Sequence, residues 1–165
     1  AGGHTGQTSN FAFVTAVREF FKGTIVLAGS ISQGGAIRAA EIVGADFAYM
    51  GTSFIAAEES MANDKYKQML IDSSVEDIVC TDAFTGAWAN MLKPSIKAAG
   101  IDLETFEKTK TINANDPQDD SKAWKDIWSA GHGVSVIHHI EPTQNIVDRL
   151  YEEYQTACNI PAFQD

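Results

Sequence analysis

Cysteine is scarce in this 165-residue sequence, positive charge is low, and no long hydrophobic run occurs. Each shortage excludes something. The two cysteines, Cys80 and Cys158, lie far apart without metal-ligand spacing, and they read as buried thiols suited to a reducing cytosol. The expected location is therefore cytoplasmic. No apolar run approaches the roughly 20 residues of a bilayer span, so no membrane association is expected. Nothing at the start of the chain reads as a signal peptide, although the chain opens without Met. Twelve basic residues stand against 22 acidic ones, for a net charge of −10. A phosphate-tracking surface needs clustered Lys and Arg, so nucleic acid is not an expected partner. A single phosphate held by backbone amides remains compatible with that balance. What is plentiful is core material: 44% of residues are hydrophobic and 21% charged, as in an ordinary globular domain.

The first sixty residues carry a rhythm. Residues 10–21, NFAFVTAVREFF, space Phe11, Val14, Val17 and Phe21 as one helix face, with Asn10 as the expected N-cap and Gly23 as the stop. The run TIVLAG, residues 24–29, is too short for a helix and suits a strand buried on both faces. AIRAAEIVGA returns as a helix, and DFAYMG, residues 46–51, reads as a second buried strand. Strands joined through a helix in this way are parallel neighbours of an α/β sheet. From about residue 63 the strand–helix rhythm stops. Residues 64–71 and 75–79 read as short amphipathic pieces, GAWANMLKPSIKAAG as a helix interrupted at Pro94, and 107–122 as a polar loop. The expected organisation is α/β over 1–62, a helical lid or insertion over 63–129, and a return over 130–165. That last part contains a short strand-like apolar run and a helix from Thr143, with Ile146, Val147, Leu150, Tyr151 and Tyr154 on one face.

Candidate chemistry gathers at the strand ends. AGS, residues 28–30, closes the first strand and MGTS, residues 50–53, closes the second. Parallel strands place both loops on one carboxyl edge. There Gly29 and Gly51 let backbone approach a ligand, while Ser30, Thr52 and Ser53 add hydroxyls. The pattern matches the phosphate site of TIM barrels, built from the loops after the seventh and eighth strands; tight turns alone are the alternative reading. His4, after Gly2 and Gly3, shares that edge if a strand precedes it, where a neutral imidazole can act as a general base; a hydrogen-bonded histidine without a role is the alternative. His132, between Gly131 and Gly133, is a further candidate facing a ligand. Adjacent His138 and His139 point to opposite faces of a strand, so no metal site is expected. Trp124 and Trp128 read as core.

Taken in order, AGGHTG, LAGSI, GADFAYMGTSF, AAEES, TDAFTG and WSAGHGVSVI make the chain resemble the nitronate monooxygenase family, flavoproteins once called 2-nitropropane dioxygenases. The resemblance covers most of the chain. It extends to the related flavin-dependent enoyl-acyl-carrier-protein reductases. It implies the C-terminal part of a TIM (β/α)8 barrel with an inserted helical lid domain, carrying FMN. His4 falls on the family's catalytic base. Gly2 and Gly3 fall in the flavin-contacting loop, and Gly29, Ser30, Met50, Gly51 and Thr52 fall where the FMN phosphate is held. The implied reaction is oxidative denitrification of alkyl nitronates or nitroalkanes with O2 to a carbonyl compound and nitrite. The alternatives are an enoyl-thioester reductase using NAD(P)H and a barrel that binds a phosphorylated ligand without catalysis. Two departures stand out. Ser30 replaces the second glycine of Ala-Gly-Gly-Ile, which serves only where residue 30 needs no positive φ. His132 stands where Gln is common, on the substrate side. In the family Ala-Gly-Gly-His follows about the sixth barrel strand. The chain is therefore expected to be a C-terminal fragment, with the N-terminal half of the same enzyme as its partner and a homo-oligomer possible.

Overall fold

The computed structural model describes residues 3–84, 86–102 and 126–161. The expected loop over 107–122, Trp124 and Gly2 lie outside them.

Two small sheets organise the chain. Strands β2 (Val26–Ala28) and β3 (Phe47–Tyr49) pair in parallel with Val26 opposite Phe47 and Ala28 opposite Tyr49. Helix α1 (Asn10–Phe20) precedes them and α2 (Gly34–Ile42) connects them. This is the helix–strand–helix–strand order expected from the sequence. The N-cap of α1 is Ser9, whose hydroxyl accepts from the Ala12 amide. Asn10, expected in that role, is instead the first helical residue, and its side chain is free to bond elsewhere. Arg18 in the last turn of α1 locks the layers by donating to the carbonyls of Gly44 and Gly23, each at 2.6 Å, and to the Asp46 carboxylate. Val14, Leu27, Ile31, Ala40 and Ala45 form the core between helices and strands.

Only one face of this pair is covered. Leu27 is buried, whereas Val26, Phe47 and Tyr49 are 56%, 63% and 66% exposed. The strands alternate as strands must, and their second face carries large apolar side chains with nothing described against it.

In its described residues, the stretch expected as a helical insertion mixes helix and strand. Short α3 (Thr52–Ile55) leads to α4 (Asp64–Ile71), capped by the Asn63 side chain on the Tyr66 amide. A 3-10 turn over Val75–Asp77 then enters β4 (Ile78–Thr81), which pairs antiparallel with β5 (Ala89–Leu92). On the other edge of β5 lies β1 (Gly3–His4), so the order is β1-β5-β4. Helix α5 (Lys93–Ala98) starts directly after β5 with Pro94 in its first turn. Proline is tolerated there because that amide has no intrahelical acceptor, so Pro94 begins a helix instead of interrupting one.

The strand-like run near residue 134 is likewise a 3-10 turn, His132–Val136, whose Val134 is fully buried. Helix α6 (Thr143–Cys158) begins where expected. It buries Ile146 and Leu150 against Ala57, while Val147 and Tyr151 face outward, so its covered face is narrower than the apolar pattern suggested. Close approach of α6 to α2 depends on Gly34, where an added Cβ would lie 2.2 Å from the Tyr154 amide nitrogen. Cys80 and Cys158 are both exposed free thiols, not buried ones. Cys80 sits on an edge strand and Cys158 on the last residue of α6, where neighbours are few. Among the described residues, no helix is long and apolar enough to cross a membrane.

Candidate functional site

Parallel pairing of β2 and β3 puts their carboxyl ends side by side, and a cavity of about 160 Å³ opens there. Gly29 and Ser30 form one wall, Met50, Gly51 and Thr52 a second, and Ser129 to Gly131 with Gly133 a third. Five residues singled out in the sequence are thus brought together. The third wall was missed as such, although its signal, small residues around His132 in SAGHG, is visible in the sequence.

Side chains from distant elements tie each wall down. Thr52 Oγ1 accepts the Gly131 amide at 2.9 Å, which leaves the hydroxyl's own proton available to a ligand. The Tyr66 hydroxyl donates to the Ser129 carbonyl, and the Tyr66 ring stacks on Trp128 with centroids 4.9 Å apart. Burial pushes the Tyr66 pKa up against the opposing effect of that bond, so Tyr66 stays a neutral donor. The Trp128 amide donates to Ser95 Oγ at 2.9 Å, and the Leu92 amide to the Trp128 carbonyl at 2.8 Å. Trp128 is half-buried and packs on the Leu70–Leu92 core, as a structural tryptophan should. On the first wall, Asn10 Nδ2 donates to the Gly29 carbonyl at 2.5 Å.

The Gly29–Ser30 turn departs from the condition set by the sequence. Gly29 has φ 101° and Ser30 has φ 55°, the one positive φ at a non-glycine among the described residues. Ser30 does adopt the left-handed region that glycine would occupy without strain.

Among the described residues, neither Lys nor Arg lines the cavity. Its lining includes serine and threonine residues and glycine backbone. Such a lining can hold an anion through amide and hydroxyl hydrogens without a fixed positive charge. A longer groove of about 1000 Å³ adjoins it at Ala28, Ser30 and Ile31. It runs between α1 and α2, beside β2, and is lined by residues 5–11 and by His132. His132 is exposed at its rim. Gly3 and His4 form β1, with His4 opposite Ala89, and the chain enters the groove at Thr5, whose amide donates to the Trp88 carbonyl at 2.9 Å. Among the described residues no cluster of three or more His, Cys, Asp or Glu side chains could hold a metal ion.

Similarity to known proteins bears on what this arrangement serves. Residues 1–153 match the family model for nitronate monooxygenase. The chain belongs to the nitronate monooxygenase family, a family of enzymes. A protein of Staphylococcus haemolyticus named as a probable nitronate monooxygenase is 26% identical over 189 aligned positions, covering 97% of this chain and 50% of that protein. The nitronate monooxygenase of Paraburkholderia phytofirmans is 29% identical over 116 positions, 65% of this chain and 32% of that one. Among solved structures, FabK of Thermotoga maritima superposes with a TM-score of 0.75 at 23% identity, which establishes a shared fold. Nitroalkane oxidase of Streptomyces ansochromogenes superposes with 0.68 at 29% identity. Each match covers 96% of this chain and about half of the other, 52% and 50% respectively. The chain spans half or less of the length of these curated relatives. Its parallel strand–helix–strand unit is consistent with part of a TIM barrel.

Proposed function

We propose that this chain forms the phosphate-holding part of an FMN-dependent enzyme that oxidises alkyl nitronates or nitroalkanes with O2 to a carbonyl compound and nitrite. One observation carries the reading: Gly29–Ser30, Gly51–Thr52 and the wall at Gly131 converge on a cavity large enough for a phosphate head. The donor set fits that group, since Thr52 keeps a free proton once its oxygen has taken the Gly131 amide. When bound, FMN would supply the redox chemistry between the organic substrate and O2. The chain's own residues would do the rest. The amides of Ser30, Gly51 and Thr52 and the Thr52 hydroxyl would hold the phosphate, with Met50 packed behind it. Gly2, Gly3 and His4 would pass along the flavin and substrate side, with the imidazole of His4 taking the α-proton of a neutral nitroalkane. A nitronate, already deprotonated, would not need that step. His132 at the groove rim would face the substrate.

The proposal includes further barrel strands. A two-stranded sheet with Val26, Phe47 and Tyr49 bare cannot close a barrel, and β2 has room beside it along the groove. Strands from the N-terminal half of the enzyme would cover that face, with residues 63–129 as a lid.

Two titrations test the phosphate reading. FMN and riboflavin, which lacks the phosphate, are titrated into the full chain and followed by visible absorption. FMN should bind at least about tenfold more tightly, since charge-assisted hydrogen bonds to the phosphate contribute roughly 1.5–3 kcal/mol each. Thr52→Val should erase much of that difference. Equal affinity for the two flavins would overturn the phosphate site. For the base, His4→Asn should abolish turnover of neutral nitroalkanes while sparing nitronates; equal loss on both would remove His4 from that role.

A further inference from the structure

Ser30 raises a physical problem that its own side chain does not solve. Two consecutive residues, Gly29 at φ 101° and Ser30 at φ 55°, turn the chain at the cavity wall. Glycine tolerates such angles without penalty, but a residue with a Cβ disfavours them by about tenfold or somewhat more. Something outside the turn must hold it. Among the described residues, Asn10 does reach it: its Nδ2 donates to the Gly29 carbonyl at 2.5 Å in a half-buried bond across 19 residues.

Asn10 is placed for this by α1. Ser9 has taken the N-cap, so the Asn10 amide side chain is not spent on its own helix. The helix backbone fixes where that donor sits. The peptide unit is planar and trans, so holding the Gly29 carbonyl toward Asn10 turns the Ser30 N–H the opposite way. That single bond therefore sets the orientation of the amide next to the strained residue.

We propose that Asn10 is a positioning residue for the anion cavity. It holds the Gly29–Ser30 peptide in the left-handed turn that Ser30, lacking glycine's freedom, does not favour by itself. What the turn is for rests on the phosphate reading given above; the dependence of Ser30 on Asn10 does not. The prediction is specific: Asn10 matters because residue 30 has a side chain, so a glycine at 30 should make Asn10 dispensable.

A double-mutant cycle on the full chain tests it, using Asn10→Leu, Ser30→Gly and both together. Asn10→Ala serves as a second variant should leucine disturb the groove. FMN affinity is read by absorption titration and folding by urea unfolding without ligand. Asn10→Leu should weaken FMN binding by about tenfold when residue 30 is Ser. With Gly at 30 the same change should cost no more than about twofold, the ordinary scatter of independent sites. The ligand-free unfolding constants should show the same coupling. Equal losses in both backgrounds would overturn the inference and make Asn10 an ordinary packing residue. If FMN binds none of the proteins, the phosphate reading fails, and the ligand-free cycle alone then decides the role of Asn10.

Discussion

At Gly133 a side chain has nowhere to go. An ideal Cβ there would lie 2.5 Å from Ser32 Oγ and 2.6 Å from Ser32 Cβ, and Ser32 is itself buried between β2 and α2. The contact joins the first and third walls of the cavity, so their spacing depends on two small residues facing each other. Gly133→Ala should cost about 1–3 kcal/mol through overpacking, read from the urea midpoint. Ser32→Gly removes both clashing atoms, and the double variant should recover most of the loss. A Gly133→Ala protein as stable as the parent would mean that the walls do not meet in this way. Gly51 provides the contrast. Its φ is −122° and an added Cβ meets nothing within 4 Å, so Gly51→Ala should fold with stability within about 0.5 kcal/mol of the parent. Any drop in FMN affinity in that variant would then report on the cavity and not on folding.

Lys67 shows how the elements around the site are fastened. It lies on α4 and is only 5% exposed, with its ammonium donating to the carbonyls of Ala57 and Glu58 at 2.7 and 3.0 Å. The same short segment reaches α6, because the Glu58 amide donates to the Glu141 carbonyl and the Glu59 carboxylate accepts from the amide and hydroxyl of Thr143. One lysine thus clips the chain after α3 to α4, while its neighbours cap α6. Lys67→Met keeps the apolar stem but strands two carbonyls, and should destabilise by about 1–3 kcal/mol in urea. No change would show that water serves those carbonyls equally well. The parallel β2–α2–β3 unit was legible in the sequence because its strands are continuous apolar runs bounded by glycine turns, although burial on both faces, which such runs suggest, is not found: only one face is covered. The β4–β5 hairpin was not. All four residues of β5 are buried, which removes the alternation that marks a strand, and Ala-Asn-Met-Leu carries no β-branched residue. The candidate site divides the same way. Gly29 and Gly51 could be placed from strand ends alone. The ties from Asn10 to Gly29 and from Tyr66 to Ser129 span 19 and 63 residues and exist only after folding.

At the scale of the whole molecule, three exposed carboxylates among the described residues make ties between segments far apart in sequence, and all three have pKa values held below the usual range. Asp46 is held down first by the Ile25 amide and then by Arg18, joining the approaches to β2 and β3 with α1. Glu41 is held down first by Arg38 and then by the Tyr154 hydroxyl, joining α2 to α6. Glu59 is held down first by the Thr143 amide and then by its hydroxyl. For each, the folded pKa lies below the unfolded one. The stability they contribute is therefore complete above the unfolded carboxylate range near 4 and is lost as pH falls through the folded values. The Glu41–Tyr154 bond acts in the opposite direction on its other partner, raising the tyrosine pKa to about 12. That contribution is complete below the unfolded tyrosine value and is lost as pH rises toward 12. A net charge of −10 at pH 7 means that mild acid also relieves repulsion, since the sequence pI is about 4.7. The two effects of acid are separable by salt, which screens diffuse repulsion more than short hydrogen-bonded contacts. Thermal melts at pH 7, 5 and 3 in 0.15 M salt, an ionic strength where the Debye length is about 8 Å, should show most of the loss between pH 5 and 3. A melting temperature that does not fall between pH 5 and 3 would mean that these three ties do not govern the acid limb.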